Sequence, residues 1–268
     1  MTAKKLAFLG AGKMATAIAA GLVDKKIFSA DQLIACDKFE GARDAFTART
    51  GIECLPENVT AMSSADAILL AIKPQDAPKV LPEIAPVLQG KLIISIAAGL
   101  SIAKLKKWSG CERVIRVMPN TPSMVGKGAA VFSCSTETSV ADGDLARTIF
   151  GAVGIALEMN ESKLDAVTGL SGSGPAYVFE FVQSLVDGAV AMGLEPDDAL
   201  QLFVQTVAGA AEMLKQKCGT PDELRKAVTS PGGTTAAGLA VMADADFRGL
   251  MANVVKAATN RSIELGQG

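Results

Sequence analysis

The feature that most restricts the fold lies in the first two dozen residues. An apolar run from Lys5 to Gly10 breaks at Gly10-Ala11-Gly12-Lys13-Met14-Ala15, and the chain resumes at helical spacing to about Val23. A strand that turns through glycines straight into a helix commits the chain to a strand–helix–strand unit. Gly10 allows the tight turn, Gly12 admits close approach to the backbone, and Ala15 lets helix and strand pack tightly. The helix start then directs free N–H groups at an anion over the turn. The pattern matches the G-x-G-x-x-A turn of dinucleotide binding, with an ordinary strand-to-helix turn as the alternative, and its place at the head of an alternating series favours the first.

The series continues with strand-like runs at Leu33 to Asp37, Ala67 to Ile72, Lys91 to Ala97 and Arg113 to Met118, and a later pair near Ala129 to Ser133 and Ile155 to Glu158. Several are nearly continuous Val, Ile, Leu and Ala, as expected of strands buried on both faces of a parallel sheet. Pro74, Pro78, Pro82 and Pro86 recur at intervals of four. An interior proline costs a helix about 3 kcal/mol, so this crossover is expected as short helical turns.

After about Asn160 helices take over, at Glu161 to Thr168, Pro175 to Met192, Pro196 to Lys217, Pro221 to Val228, Thr234 to Met242 and Phe247 to Leu265. Prolines near several starts, with Asp197, Asp198, Asp222 and Glu223 in first turns, suit helix N-termini. In the helix from Pro175, Val178, Phe181, Val182, Leu185, Val186 and Ala189 fall at helical spacing, yet Gly188, Val190 and Met192 extend the apolar surface beyond one stripe. A small helical domain cannot bury such a helix alone, so a second subunit is expected against it. The reading is an α/β chain: an N-terminal Rossmann-type parallel-sheet domain over residues 1–160 for a dinucleotide, then an all-helical domain over 161–268 for substrate binding and dimerisation.

Composition removes several chemistries. The 268 residues include no histidine, so there is no Ser-His-Asp or Cys-His relay, no histidine-ligated metal, and no side chain with an unperturbed pKa near neutrality. No metal is expected. A net charge of −2 and 4% aromatic residues offer neither attraction for phosphate backbones nor stacking surface, so no nucleic-acid partner is expected. The uncharged stretch from Val228 to Ala243 is broken by Pro231-Gly232-Gly233 and falls short of the roughly 20 apolar residues that span a membrane. Met1 to Lys5 with the short apolar run behind it reads as the approach to a first strand, not a signal peptide. The five cysteines are scattered without a C-x-x-C pair and read as reduced thiols of a cytoplasmic protein, mostly in the core.

The second strand ends Cys36-Asp37-Lys38, with Arg43 soon after. An acid there suits the ribose 2′-hydroxyl of NAD, whereas Lys38 and Arg43 suit a 2′-phosphate, so NADPH and NADH both stay open. Ala71-Ile72-Lys73-Pro74 and Ile96-Ala97-Ala98-Gly99 close two further strands, and ligands of open sheets bind at such ends. Lys73 is therefore expected to touch cofactor or substrate. Leu170-Ser171-Gly172-Ser173-Gly174-Pro175-Ala176-Tyr177 and Ser230-Pro231-Gly232-Gly233-Thr234-Thr235 each set glycines and hydroxyls before a helix. Each is expected to leave a helix start open to a carboxylate, with ordinary capping as the alternative.

Those two motifs, with Val190 to Leu194 between them, resemble the signature set of pyrroline-5-carboxylate reductases. Gly10-Ala11-Gly12, Ala71 to Pro74, Ser95 to Gly99 and Arg116 to Pro122 match in the same order, so the resemblance covers essentially the whole chain. It implies the last step of proline biosynthesis, in which NADPH, or NADH, delivers hydride to the C=N carbon of 1-pyrroline-5-carboxylate. It implies that Gly10, Gly12, Lys13, Met14, Ala15, Asp37, Lys38, Asn58, Ala71, Lys73, Ala97 and Asn120 line the cofactor. The loop of Ser230, Gly232, Gly233, Thr234 and Thr235 would hold the substrate carboxylate, with Thr235 reaching the ring nitrogen as the catalytic candidate. It also implies a homo-oligomer, dimeric through the helical domain, with dimers often assembled into rings. A cyclic imine is basic enough to accept hydride as its iminium, so placement matters more than a protein acid and histidine is dispensable. The related β-hydroxyacid dehydrogenases carry a proton-handling lysine in G-x-x-G-x-G-x-x-x-K-x-x-x-N. Registered on Gly169, Gly172 and Gly174, its lysine and asparagine positions are Val178 and Val182, which argues against that reading. A non-catalytic nicotinamide sensor would leave the open start at Ser230 without a ligand.

Overall fold

The computed structural model describes residues 5–267, and the stretch from Met1 to Lys4 lies outside them. The chain packs as two compact units, one formed by the residues up to Ser173 with those from Ala257 onward, the other by Gly174–Lys256. The first unit contains β1 (Leu6–Leu9), α1 (Lys13–Asp24), β2 (Leu33–Cys36), α2 (Glu40–Thr50), β3 (Cys54–Leu55), α3 (Asn58–Ser63), β4 (Ala67–Leu70) and α4 (Ala77–Leu88). It continues through β5 (Leu92–Ser95), α5 (Ile102–Ser109), β6 (Val114–Met118), β7 (Gly128–Cys134), α6 (Val140–Gly151), β8 (Gly154–Glu158) and α7 (Leu164–Val167).

The strands form one sheet in the order β3-β2-β1-β4-β5-β6-β7-β8, parallel throughout except between β6 and β7. The chain first builds outward from β1 to β3, then returns to β4 on the other side of β1. That reversal opens a crevice at the carboxyl ends of β1 and β4, where open α/β sheets bind ligands. Every residue of β1 is buried: Leu6 and Phe8 join the cluster under α1, α2 and α6, and Ala7 and Leu9 join the one under α3, α4 and α5. A strand covered on both faces needs an unbroken apolar run, which explains the missing alternation.

The proline-rich crossover departs from expectation. After one turn at Pro74–Asp76 it is a single helix, α4, with Pro82 and Pro86 inside it. Ala77, Leu81, Ile84 and Leu88 face the core, whereas Pro78, Pro82 and Pro86 are exposed. The four-residue spacing puts the prolines on the water side, where solvent serves the carbonyls that lose their N–H partners.

The second unit consists of α8 (Gly174–Ala191), α9 (Pro196–Lys215), α10 (Pro221–Ala227), α11 (Thr234–Asp244) and the first part of α12 (Phe247–Gln267), whose end belongs to the first unit. An aromatic cluster links α8, α9 and α12, with Phe181 5.7 Å from Phe203 and 6.4 Å from Phe247 between ring centroids. Thr220 and Glu223 cap α10 reciprocally, with Pro221 in its first turn. Val178, Phe179 and Leu185 on α8, Met192 just after it, Leu202 and Val204 on α9, and Val241 on α11 are all exposed in the single chain. Among the described residues no helix is long and apolar enough to cross a membrane.

Candidate functional site

The glycine turn is stereochemically fixed. Gly10 has φ +102°, and a Cβ there would stand 2.8 Å from the Ala71 carbonyl oxygen, so no other residue fits without moving backbone. Its N–H donates to the Cys36 carbonyl at 2.9 Å, tying the turn to the end of β2. Gly12 is the N-cap of α1 and brings no side-chain oxygen to its first-turn N–H groups. A Cβ on Gly12 would meet no protein atom within 4 Å, although the residue lines the crevice. The open space beside an uncapped helix start has the shape and donors a pyrophosphate needs. Ala15 is buried under β1, Met14 packs half-buried against the same cluster, and Lys13 is exposed at the helix mouth.

A cleft of about 460 Å³ gathers Gly10, Gly12, Asp37, Lys38, Asn58, Ala71 and Lys73 at the switch point. A larger groove of about 690 Å³ follows the outer side of α1 and shares Gly12 and Lys13 with the turn. No strand end from β4 or β5 lines it, whereas Ala71, at the end of β4, lines the smaller cleft. Asp37 is braced: its Oδ2 accepts the Ala11 N–H and its Oδ1 the Phe39 N–H, both at 2.9 Å. Arg43 donates through Nη1 to the carbonyls of Asp37 and Lys38 at 3.1 and 3.2 Å, so it holds the backbone that carries Lys38. The Lys38 ammonium lies 5.1 Å from the Phe39 ring centroid. Burial pushes the Cys36 thiol up to about 12, and its Sγ donates to Asn58 Oδ1 at 3.3 Å. Burial likewise raises Cys54 to about 11, so both stay neutral thiols near pH 7. Cys111 is also buried, Cys134 is half-buried and Cys218 is exposed, and all five cysteines are free.

Beyond this cleft the strand ends lead into a cavity of about 650 Å³ lined by Pro74, Gln75, Ala98, Gly99, Thr168 and Ser173, among others. Gln75 lines both spaces. Ala97 is buried beside the second, its N–H bonded to Ser95 Oγ at 3.2 Å. Asn120 follows β6 and bonds through both ends of its amide, to Ala129 and Ser171.

The two helix starts expected from the serine–glycine motifs fare differently. Thr168–Gly172 forms a π-helical turn, Ser173 keeps helical angles, and its N–H donates to the Thr168 carbonyl at 2.8 Å. Helical backbone therefore runs from α7 through the turn to Ser173, so Leu170 to Ser173 lie within it and not in an open capping loop. In the second unit, Gly233 donates to the Ser230 carbonyl at 3.1 Å and Gly232 sits at φ +70°. Gly233 is the N-cap of α11 without a side-chain cap, and Thr234 and Thr235 are exposed in its first turn. That start is open and flanked by hydroxyls.

One constellation carries no sequence signal. Arg116, nearly buried, pairs with Glu161 at 3.2 Å and Asp165 at 3.7 Å, and Ser262 on α12 donates to Asp165 at 2.8 Å. Its partners lie dozens of residues away in sequence, so only the folded chain displays it.

A glycine turn feeding an uncapped helix at the switch point of a mainly parallel sheet, in a chain that also carries a helical unit with exposed apolar faces, defines a dinucleotide-dependent oxidoreductase. Residues 5–99 match the family described as NADP oxidoreductase, coenzyme F420-dependent, and residues 161–265 match the pyrroline-5-carboxylate reductase dimerisation family. The chain is 42% identical to a pyrroline-5-carboxylate reductase of Glycine max over 97% of its own length and 95% of the relative's. It is 38% identical to that of Pseudomonas aeruginosa over 100% and 98%. A solved pyrroline-5-carboxylate reductase from Coxiella burnetii superposes with TM-score 0.92 at 33% identity, covering 98% of each chain. One from Plasmodium falciparum with NADP bound gives 0.88 at 35%, again covering 98% of each. The chain belongs to the pyrroline-5-carboxylate reductase family.

Proposed function

We propose that this chain reduces 1-pyrroline-5-carboxylate to L-proline, the last step of proline biosynthesis, with NADPH as hydride donor and NADH as an alternative. The observation that carries the reading is the likeness to pyrroline-5-carboxylate reductases over nearly the full length of both chains. Gly10, Gly12, Lys13, Met14 and Ala15 form the turn and helix start that receive the pyrophosphate. Asp37 and Lys38 flank the adenosine ribose, Asn58, Ala71 and Lys73 line the cleft between, and Ala97 and Asn120 stand at the strand ends toward the nicotinamide. The bound cofactor supplies the hydride.

Ser230, Gly232, Gly233 and Thr234 take the substrate carboxylate with N–H groups and hydroxyls at the start of α11. Thr235 directs its hydroxyl at the ring nitrogen. The imine carries its own proton as the iminium, so these residues orient and do not need to donate strong acidity. Residues 1–160 are assigned to the cofactor and 161–268 to substrate and dimerisation. The exposed apolar faces of α8 and α9 meet a second copy of the chain, dimers associate into rings, and free thiols suit the cytoplasm.

Initial rates with 1-pyrroline-5-carboxylate, measured side by side with NADPH and NADH, test the reading. Turnover is expected with both and faster with NADPH. No turnover of the imine alongside oxidation of 3-hydroxyacids would replace the reading with a β-hydroxyacid dehydrogenase.

A further inference from the structure

Asn120 stands among the strand-end residues, yet its side chain is spent within the protein. Its Oδ1 accepts the Ala129 N–H at 2.8 Å, and its Nδ2 donates to the Ser171 carbonyl at 3.1 Å. An amide bonded at both ends has one orientation. Ser171 belongs to the π-helical turn Thr168–Gly172, a rare geometry that is frequent at functional sites. In an α-helix the Ser171 carbonyl would take the N–H four residues on. That residue is Pro175, which has none. Asn120 supplies the missing donor from 51 residues away in sequence.

The same turn is seated on β6 a second time. At Gly172 the terminal methyl of Met118 fills the space that a Cβ would need. Thr168 and Ser173, at the two ends of the turn, line the cavity that Ala98 and Gly99 close from the end of β5. Moving the turn moves one wall of that cavity against the strand ends.

We infer that Asn120 is a positioning residue: through the Ser171 carbonyl it pins the π-turn to the end of β6 and so sets the cavity wall at Thr168 and Ser173. Its side chain serves the turn and does not hold the cofactor. This rests on the reductase reading. It also gives a joint purpose to two motifs that lie far apart in sequence, Met118-Pro119-Asn120 and Ser171 to Pro175.

Two variants separate the roles. Asn120→Ala removes both bonds, whereas Asn120→Asp keeps an acceptor for Ala129 and loses the donor to Ser171. Both are expected to lower kcat at saturating NADPH and imine by about tenfold or more, since small misplacements are costly. NADP+ affinity, measured by calorimetry without substrate, should stay within about twofold, and amide exchange in residues 164–173 should accelerate about tenfold. Pro175→Ala in the Asn120→Ala background gives the Ser171 carbonyl a donor inside the helix and should recover part of kcat. An NADP+ affinity loss of about tenfold with kcat intact would make Asn120 a cofactor contact and overturn the inference. Unchanged exchange with no recovery would overturn it as well. A wild-type protein inactive on the imine would sink the reductase reading instead, while affinity and exchange would still decide what Asn120 does.

Discussion

Phe179 on α8 is 68% exposed in the single chain, the kind of surface a subunit interface covers. A phenylalanine presents on the order of 200 Å², so about 140 Å² of apolar area is left uncovered at this one position. At roughly 25 cal/mol per Å², burying it contributes about 3.5 kcal/mol per subunit. A two-fold dimer uses the position twice, about 7 kcal/mol in all. Losing that contribution weakens the dimer by up to about five orders of magnitude. Phe179→Asp also places a charge in the contact and should convert a dimer into a monomer at micromolar concentration. Sedimentation velocity over a dilution series reads the result, with circular dichroism to confirm that the helices persist. A folded variant that still sediments as a dimer at every concentration where the wild type does would refute the assignment of this face.

Gly10→Ala combines a φ of +102° with a Cβ 2.8 Å from the Ala71 carbonyl oxygen. It should cost about 2–5 kcal/mol in urea unfolding and weaken NADP+ binding, and a variant that matches the wild type in both would show that the turn tolerates a side chain. Thr235→Ala should lower the rate with imine while leaving NADP+ affinity unchanged, and full activity would remove Thr235 from the chemistry. Burial tends to raise the Asp142 carboxyl, but hydrogen bonds from Arg113 and Ser139 outweigh it and hold the group below its ordinary 3.8. The native state then binds fewer protons than the unfolded one, so the contribution is present above about pH 4 and is lost as pH falls through the depressed native value. Asp142→Asn should cost about 2 kcal/mol near neutral pH, less than a fully buried pair because Arg113 is half-exposed, and should flatten the acid limb of urea midpoints against pH. An unchanged acid limb would discharge this pair from the pH dependence.

The parts of the fold that were legible are those where one residue type answers a local demand. The runs around Leu6, Ile68 and Ile93 carry their own burial, and Gly10 and Gly12 carry the turn. β3 was not legible, because Cys54 and Leu55 alone cannot display a period. The prolines of α4 misled for a different reason: each opposes a helix locally, and only the side on which they fall, away from Leu81 and Ile84, makes them harmless. At the site, the open start at Gly233 could be read from the order of glycines and threonines. The π-turn of the serine–glycine motif at Leu170 could not, since its contacts with Asn120 and Met118 at the end of β6 form only in the folded chain. Asp37 shows the same limit: its place after β2 was plain, but its brace to Ala11 exists only once β1 and β2 lie side by side.

The central claim is hydride delivery to the imine carbon of 1-pyrroline-5-carboxylate. Incubating the protein with that substrate and NADPH deuterated at the transferable position, then locating the label in the product by NMR, tests it directly. The expected product is L-proline with one deuterium on the carbon of the former C=N bond, the ring carbon next to nitrogen that does not bear the carboxylate. Unlabelled proline, label at another carbon, or no proline while NADPH is consumed would contradict the account.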